Sequence, residues 1–177
     1  KVIHISRVYG TYDFPAHFML CAAMNPCPCG YYPDMNRCRC TPAQVGQYLG
    51  KLSQPLLDRL DLCADVSPVD FNGMSNGKIG ENTKQVRMRV EAAQQIQRER
   101  FKDEKIQFNG EMSGKQVENF CHLDDSAGRL LKMAFQHMPF SARAYHRILK
   151  VARTIADMEA SETINKEHLG EALSYRS

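Results

Sequence analysis

Apolar residues recur at every second position near the start of the chain and at every third or fourth position through its second half, so strands are expected first and helices afterwards. Val2-Ile3-His4-Ile5-Ser6 and Thr11-Tyr12-Asp13-Phe14 flank Gly10, and residues 2 to 15 are expected to form a hairpin. Phe18-Met19-Leu20-Cys21-Ala22-Ala23-Met24 is a continuous apolar run between Pro15 and Asn25-Pro26. Such a run predicts a strand buried on both faces, as in a parallel sheet. Residues 26 to 42 are too dense in Cys, Pro, Gly, Asp and Asn for a regular element and form an inserted loop. A short helix is expected from Pro42 to Tyr48, with proline at its first turn. Leu56-Leu57-Asp58-Arg59-Leu60-Asp61-Leu62 then leads into another short strand around Leu62 to Val66, ended by Ser67-Pro68.

Residues 72 to 82 are polar and glycine-rich, the composition of a linker, and a domain boundary is placed there. Downstream, Val86, Val90, Ala93 and Ile96 share one face of an amphipathic helix. A second helix covers Ser113 to Phe120. A third starts with Asp124 or Asp125 as N-cap and turns Leu130, Leu131, Ala134 and Phe135 inward. Ser141 can cap a fourth, whose apolar stripe is Tyr145, Ile148, Leu149, Ala152, Ile155 and Ala156. A last helix from about Lys166 buries Leu169, Ala172 and Leu173. The fold class expected is therefore an α/β unit followed by an all-α bundle of four or five helices.

The 177 residues have room for one ordinary domain or two small ones, and 43% hydrophobic with 24% charged residues is the composition of a soluble globular protein. Lys and Arg number 23 against 20 Asp and Glu, so charge neither supports nor excludes DNA as a partner. No apolar stretch approaches the ~20 residues of a membrane span, and the first residues lack the apolar region of a signal peptide. No membrane partner and a cytoplasmic location are expected. The chain opens in mid-pattern without an initiator Met, which suggests a piece of a longer protein.

The sharpest chemical signal is Cys27-Pro28-Cys29-Gly30 followed by Cys38-Arg39-Cys40. Two close thiol pairs joined by a loop containing Gly30 and Pro33 can supply the tetrahedral sulfur cage that zinc prefers. One spacer residue within each pair, rather than two, leaves less slack to bring both sulfurs to one ion. The same residues could close two disulfides, disfavoured in a cytosolic protein, or stay as free thiols, which an exposed loop would leave open to oxidation. Four protein ligands leave no open position, so such a metal would be structural. Tyr31, Tyr32, Arg37 and Arg39 give the loop the means to touch nucleic acid by stacking and phosphate contacts, or are simply solvated. Cys21, Cys63 and Cys121 sit among apolar residues and are expected to pack as small hydrophobes.

Asn25 follows the apolar run, where α/β sheets present ligand-facing groups, although Asn-Pro is also a common turn initiator. Arg59 projects from an apolar segment. It can stabilise charge on a transferring phosphoryl group or pair with Asp58 or Asp61. Arg143 lies in the first turn of the helix capped by Ser141, where its charge opposes the helix dipole, a placement that an anionic ligand would explain.

Phe18 to Pro26, the Cys27 to Cys40 loop, Thr41-Pro42-Ala43-Gln44, Pro55 to Leu62 and Ser141 to Asp157 together resemble the magnesium-chelatase-like ComM/YifB AAA+ ATPases, over nearly the whole chain. The cysteine loop separates this group from chelatase subunits proper and from the related MCM helicases. The resemblance implies that residues 1–72 are the C-terminal part of an AAA+ P-loop ATPase core, with hairpin, buried parallel strands and Cys-rich loop 27–40. It makes 73–81 a linker and 82–177 a helical lid. It implies that Asn25 is sensor 1, Arg59 the arginine finger that reaches a neighbouring subunit's nucleotide, and Arg143 sensor 2. It makes residues 2 to 15 the hairpin that precedes sensor 1 and often points to the central pore. It further implies a homo-oligomeric ring, a hexamer, with ATP and Mg²⁺ as cofactors of the full-length protein, and ATP-driven DNA branch migration as its activity. The alternatives are a chelatase-type motor that remodels a partner protein and a zinc-stabilised DNA-binding module. The family's Gly-x-x-x-x-Gly-Lys-Ser/Thr loop and its acidic Mg²⁺-holding motif are absent from these 177 residues, which alone are expected to be inactive.

Overall fold

The computed structural model describes residues 2–67, 80–138 and 140–176. Their contacts divide the chain into two compact units, Lys1–Leu52 and Ser53–Ser177. The expected linker, 73–81, lies outside the described residues except for positions 80 and 81.

The first unit opens with the expected hairpin. Strands β1 (Val2–Arg7) and β2 (Gly10–Pro15) pair antiparallel, with Ile5 opposite Tyr12 and Arg7 opposite Gly10. His4 Nδ1 lies 2.5 Å from Asp13 Oδ1 across the ladder. Val8 and Tyr9 form the tip, 96% and 95% exposed. The expected strand over Phe18–Met24 does not form: these residues join no ladder among the described residues, and Phe18, Met19, Leu20, Met24 and also Cys21, expected to pack as a small hydrophobe, are exposed. A strand buried on both faces needs a neighbour on each edge. Among the described residues the only sheet is β1–β2, so the apolar run has nothing here to pair with. Leu62–Val66 is likewise not a strand, and Leu62 and Val66 are exposed. Helix α1 (Pro42–Leu49) forms as expected: Thr41 Oγ1 accepts from the Gln44 N–H while the Gln44 side chain accepts from the Thr41 N–H, and Pro42 sits at the first turn.

The second unit is helical. It contains α2 (Gln54–Leu57), α3 (Thr83–Arg100), a single 3₁₀ turn (Asn109–Glu111), α4 (Gly114–Phe120), α5 (Asp125–His137), α6 (Ala142–Met158) and α7 (Lys166–Ser174). Polar side chains set the starts: Asn82, Ser113, Asp124, Ser141 and Asn165 each accept an N–H of the following helical turn. The Ala127 N–H, the largest influence on Asp124, holds that carboxyl below its ordinary value.

The core gathers on α6, whose Ile148, Leu149, Ala152 and Ala156 are buried against Phe101, Val117, Ala127, Leu131, Ile164, Leu169 and Ala172. Phe101 and Phe120 meet edge to face at 5.4 Å. Of the expected inward residues, Ile155, Leu130, Phe135 and Leu173 are only partly buried, and Tyr145 rests its ring on Phe135 near the surface. The first half of α3 runs past the core: Val86 and Val90, expected inward, are exposed, and burial begins at Ala93 and Gln97.

A buried polar network fastens these helices. Asp157, on α6, accepts from Arg100 Nη1 at 2.7 Å, from Arg100 Nη2, from Arg153 Nε at 3.0 Å and from Asn109 Nδ2 at 2.8 Å. Arg153 also donates to the carbonyls of Ser161 and Glu162, which closes the turn before α7. Removing one member of such a set strands buried charge. Asp157→Ala is therefore expected to destabilise the protein by about 3–5 kcal/mol, read as a lowered denaturation midpoint; an unchanged midpoint would contradict this account.

Candidate functional site

Two tight turns and a capped helix build the cysteine site in the first unit. The Gly30 N–H donates to the Cys27 carbonyl at 3.0 Å, and Gly30 takes φ +83°, a left-handed conformation that favours glycine. The Cys38 N–H donates to the Asp34 carbonyl at 2.8 Å, and the Asp34 carboxylate accepts the Asn36 N–H at 3.0 Å. Cys40 immediately precedes Thr41, the cap of α1. These turns place Cys27 Sγ 3.4 Å from Cys29 Sγ and 3.8 Å from Cys38 Sγ, with Cys29 and Cys38 3.6 Å apart. All four sulfurs, Cys40 included, lie within 4.8 Å of one another.

A zinc ion with four sulfur bonds of about 2.3 Å has tetrahedral edges of about 3.8 Å, so the donor set fits that ion. The sulfurs are too far apart for disulfides, and none is formed. The protonation pattern is uneven. The Tyr31 and Arg39 backbone N–H groups draw Cys29 down to about 6. The Cys29 N–H favours the Cys40 thiolate, yet burial and the facing Cys29 and Cys27 sulfurs push Cys40 up to about 12. Four close sulfurs cannot all ionise without a cation among them, and a divalent thiophilic metal supplies one.

Beside the cage, Cys29, Tyr31, Asn36, Arg37 and Arg39 line an open depression. The Arg37 guanidinium sits 4.2 Å from the Tyr31 ring centroid, so one ring face is already covered. Tyr31, Tyr32 and Arg39 are exposed. Asn25 is exposed too, and its carboxamide lies against Gly30: a Cβ at Gly30 would stand 3.8 Å from Asn25 Cγ and Nδ2.

Arg59 and Arg143 belong to the second unit. Arg59 follows α2, is exposed, and folds back so that its Nη1 donates to the Pro55 carbonyl at 2.5 Å. It forms no ion pair among the described residues, because Asp58 accepts from Gln54 Nε2 and Asp61 is taken by Arg147. Arg143 is exposed in the first turn of α6. The sequence did not reveal the hold on the residues after Arg59. Arg176 Nη1 donates to the Leu60 carbonyl at 2.7 Å, and the Cys63 N–H donates to the Tyr175 carbonyl at 2.9 Å. Arg176 Nε is buried without a partner among the described residues. Contacts across more than 80 residues leave no local periodic signal, so nothing in the pattern could have announced them.

The molecule is thus a mixed α/β protein, in which a hairpin and a four-cysteine cage precede a helical bundle with two exposed arginines. Residues 1–74 match the model of "Magnesium chelatase, subunit ChlI", and residues 80–176 match that of "Magnesium chelatase, subunit ChlI C-terminal". The chain belongs to this magnesium-chelatase-like family, of the ComM/YifB type. It is 42% identical over 176 residues to competence protein ComM of Haemophilus influenzae and 41% identical over 177 residues to YifB of Salmonella typhimurium. A more distant Mycobacterium bovis protein is 34% identical over 174 residues. The matches cover 98–99% of this chain but 34% of each relative. Among the described residues, no helix is long and apolar enough to cross a membrane.

Proposed function

We propose that this chain is the sensing and coupling portion of a cytoplasmic, ring-forming AAA+ ATPase that uses ATP hydrolysis to remodel DNA, as in branch migration. The supporting observation is Arg59, an exposed guanidinium with no acidic partner among the described residues although two aspartates flank it within two positions. Held among the described residues only by a carbonyl, it can swing to a neighbouring subunit's nucleotide and neutralise charge on the phosphoryl oxygens. Arg143, at a helix N-terminus, serves as sensor 2 and Asn25 as sensor 1. The division into a core portion to residue 72, a linker at 73–81 and a lid from 82 is part of the same reading, as is a hexameric ring.

In this reading ATP and Mg²⁺ belong to the full-length protein. Arg59 and Arg143 suit phosphate oxygens, but the sequence holds no Gly-x-x-x-x-Gly-Lys-Ser/Thr cradle, so these residues alone are inactive. Cys27, Cys29, Cys38 and Cys40 would hold zinc, which supplies a rigid cross-link and no reaction chemistry. The basic and aromatic residues beside the cage, and the Val8-Tyr9 hairpin tip, are the candidate DNA contacts.

The test is ATP turnover of the full-length protein with forked DNA, duplex DNA and none. Stimulation greater with forked than with duplex DNA is expected. No stimulation by any DNA would remove the helicase reading and leave a motor that acts on a partner protein.

A further inference from the structure

We propose that Asp61, Arg147 and Arg176 form a latch that fixes the arginine-finger segment to the helical unit, so that Arg59 and Arg143 move as one body. The inference rests on Arg59 and Arg143 as nucleotide-contacting residues and adds how the two are coupled.

The contacts fall on the four residues that follow Arg59. The Leu60 carbonyl accepts from Arg176 at 2.7 Å, the Asp61 carboxylate pairs with Arg147, and the Cys63 N–H reaches the Tyr175 carbonyl at 2.9 Å. Three of these four positions are therefore tied to residues 86 to 116 positions away in sequence, while Arg59 itself is left outside the grip. Arg147 stands one helical turn beyond Arg143 on the same face of α6. One helix thus carries sensor 2 at its start and, a turn later, the cation that holds the finger segment. The other two ties come from the residues just after α7, which is packed on α6. A rotation of α6 would displace Leu60–Cys63 with it, and with them the root of Arg59.

The latch is built lightly. Asp61 is 67% and Arg147 27% exposed at the side chain, and half-exposed pairs contribute little to folding stability. Its loss should therefore misplace Arg59 without unfolding the domain, which makes Asp61, Arg147 and Arg176 positioning residues.

In the full-length protein, Asp61→Asn and Arg147→Gln are each expected to lower kcat for ATP about ten- to a hundredfold, with KM for ATP and Tm unchanged. The exchange variant carrying Asp61→Arg and Arg147→Asp together should recover most of that kcat. Arg176→Ala should speed amide exchange across residues 60 to 63 while α6 stays protected. If Arg59→Ala abolishes turnover but the latch variants turn over normally, the latch is overturned and the finger reading stands. A parallel fall in Tm with no recovery in the exchange variant also overturns it, because the residues would then be merely structural. Normal turnover in Arg59→Ala overturns the finger reading and the latch with it.

Discussion

Replacing Arg59 with alanine in the full-length protein is expected to reduce ATP turnover by about 10³-fold or more, the effect of withdrawing an arginine finger from a phosphoryl-transfer site. The expected effect is electrostatic. A guanidinium that neutralises charge only as the phosphoryl group transfers acts on kcat, so KM for ATP should change far less. Stability should hardly respond, because Arg59 is exposed and bonded only to the Pro55 carbonyl within the described residues. Arg59→Lys should restore little: an ammonium is a point charge and cannot hold two oxygens in a planar fork. In the proposed reading the finger serves a neighbour, so mixing Arg59→Ala subunits with subunits defective in nucleotide binding should recover activity at mixed interfaces. Steady-state turnover checks the first claim, and a rate within a few-fold of the unmodified protein would remove Arg59 from the site.

The second large effect concerns the cysteine cage. The purified protein is expected to carry about one zinc per chain, and Cys27→Ala to lose it, because a three-sulfur remnant forfeits the tetrahedral set. Cys27 and Val45 are the buried apolar residues of the first unit among those described, so residues 27–40 have almost no core of their own. Metal binding and loop folding should then be one event, as in small zinc domains, where apparent binding energies reach about 10–16 kcal/mol. Chelation should accordingly raise amide exchange and thiol reactivity over residues 27–40 together, and leave α3 to α7, which close their own core, unaffected. Elemental analysis that finds no thiophilic metal in protein purified under reducing conditions would sink the site.

Local signals carried the helical half. Asp124 and Ser141 announce helix starts because capping is decided within three residues, and the α6 stripe follows from a period the sequence shows directly; the Asn82 and Asn165 caps were not singled out, Asn82 standing in a stretch with the composition of a linker. The four cysteines were legible for the same reason: their turns are set by Pro28, Gly30 and Asp34 inside one short loop. What failed depends on partners. Phe18–Met24 and Leu62–Val66 have strand composition, but a strand exists only where another pairs with it, and the described residues supply none. Val86 and Val90 failed differently. Their period is helical, and the helix formed, but the core ends before it reaches them. The Asp61–Arg147 pair and the Arg176 grip on Leu60 were illegible because side chains of ordinary surface type met only after the chain had folded back.

The two-stranded hairpin and the bare apolar run after it have a practical corollary for colloidal behaviour. Among the described residues both hairpin edges offer unpaired backbone groups beside exposed Ile3, Tyr12 and Phe14, and Phe18, Met19 and Leu20 add a greasy ribbon. Surfaces of this kind template cross-chain pairing. With a formal net charge of only +3, little long-range repulsion opposes it. The concentration at which the isolated chain can be handled is thus set by this sticky end and the salt around it, well before thermal unfolding matters.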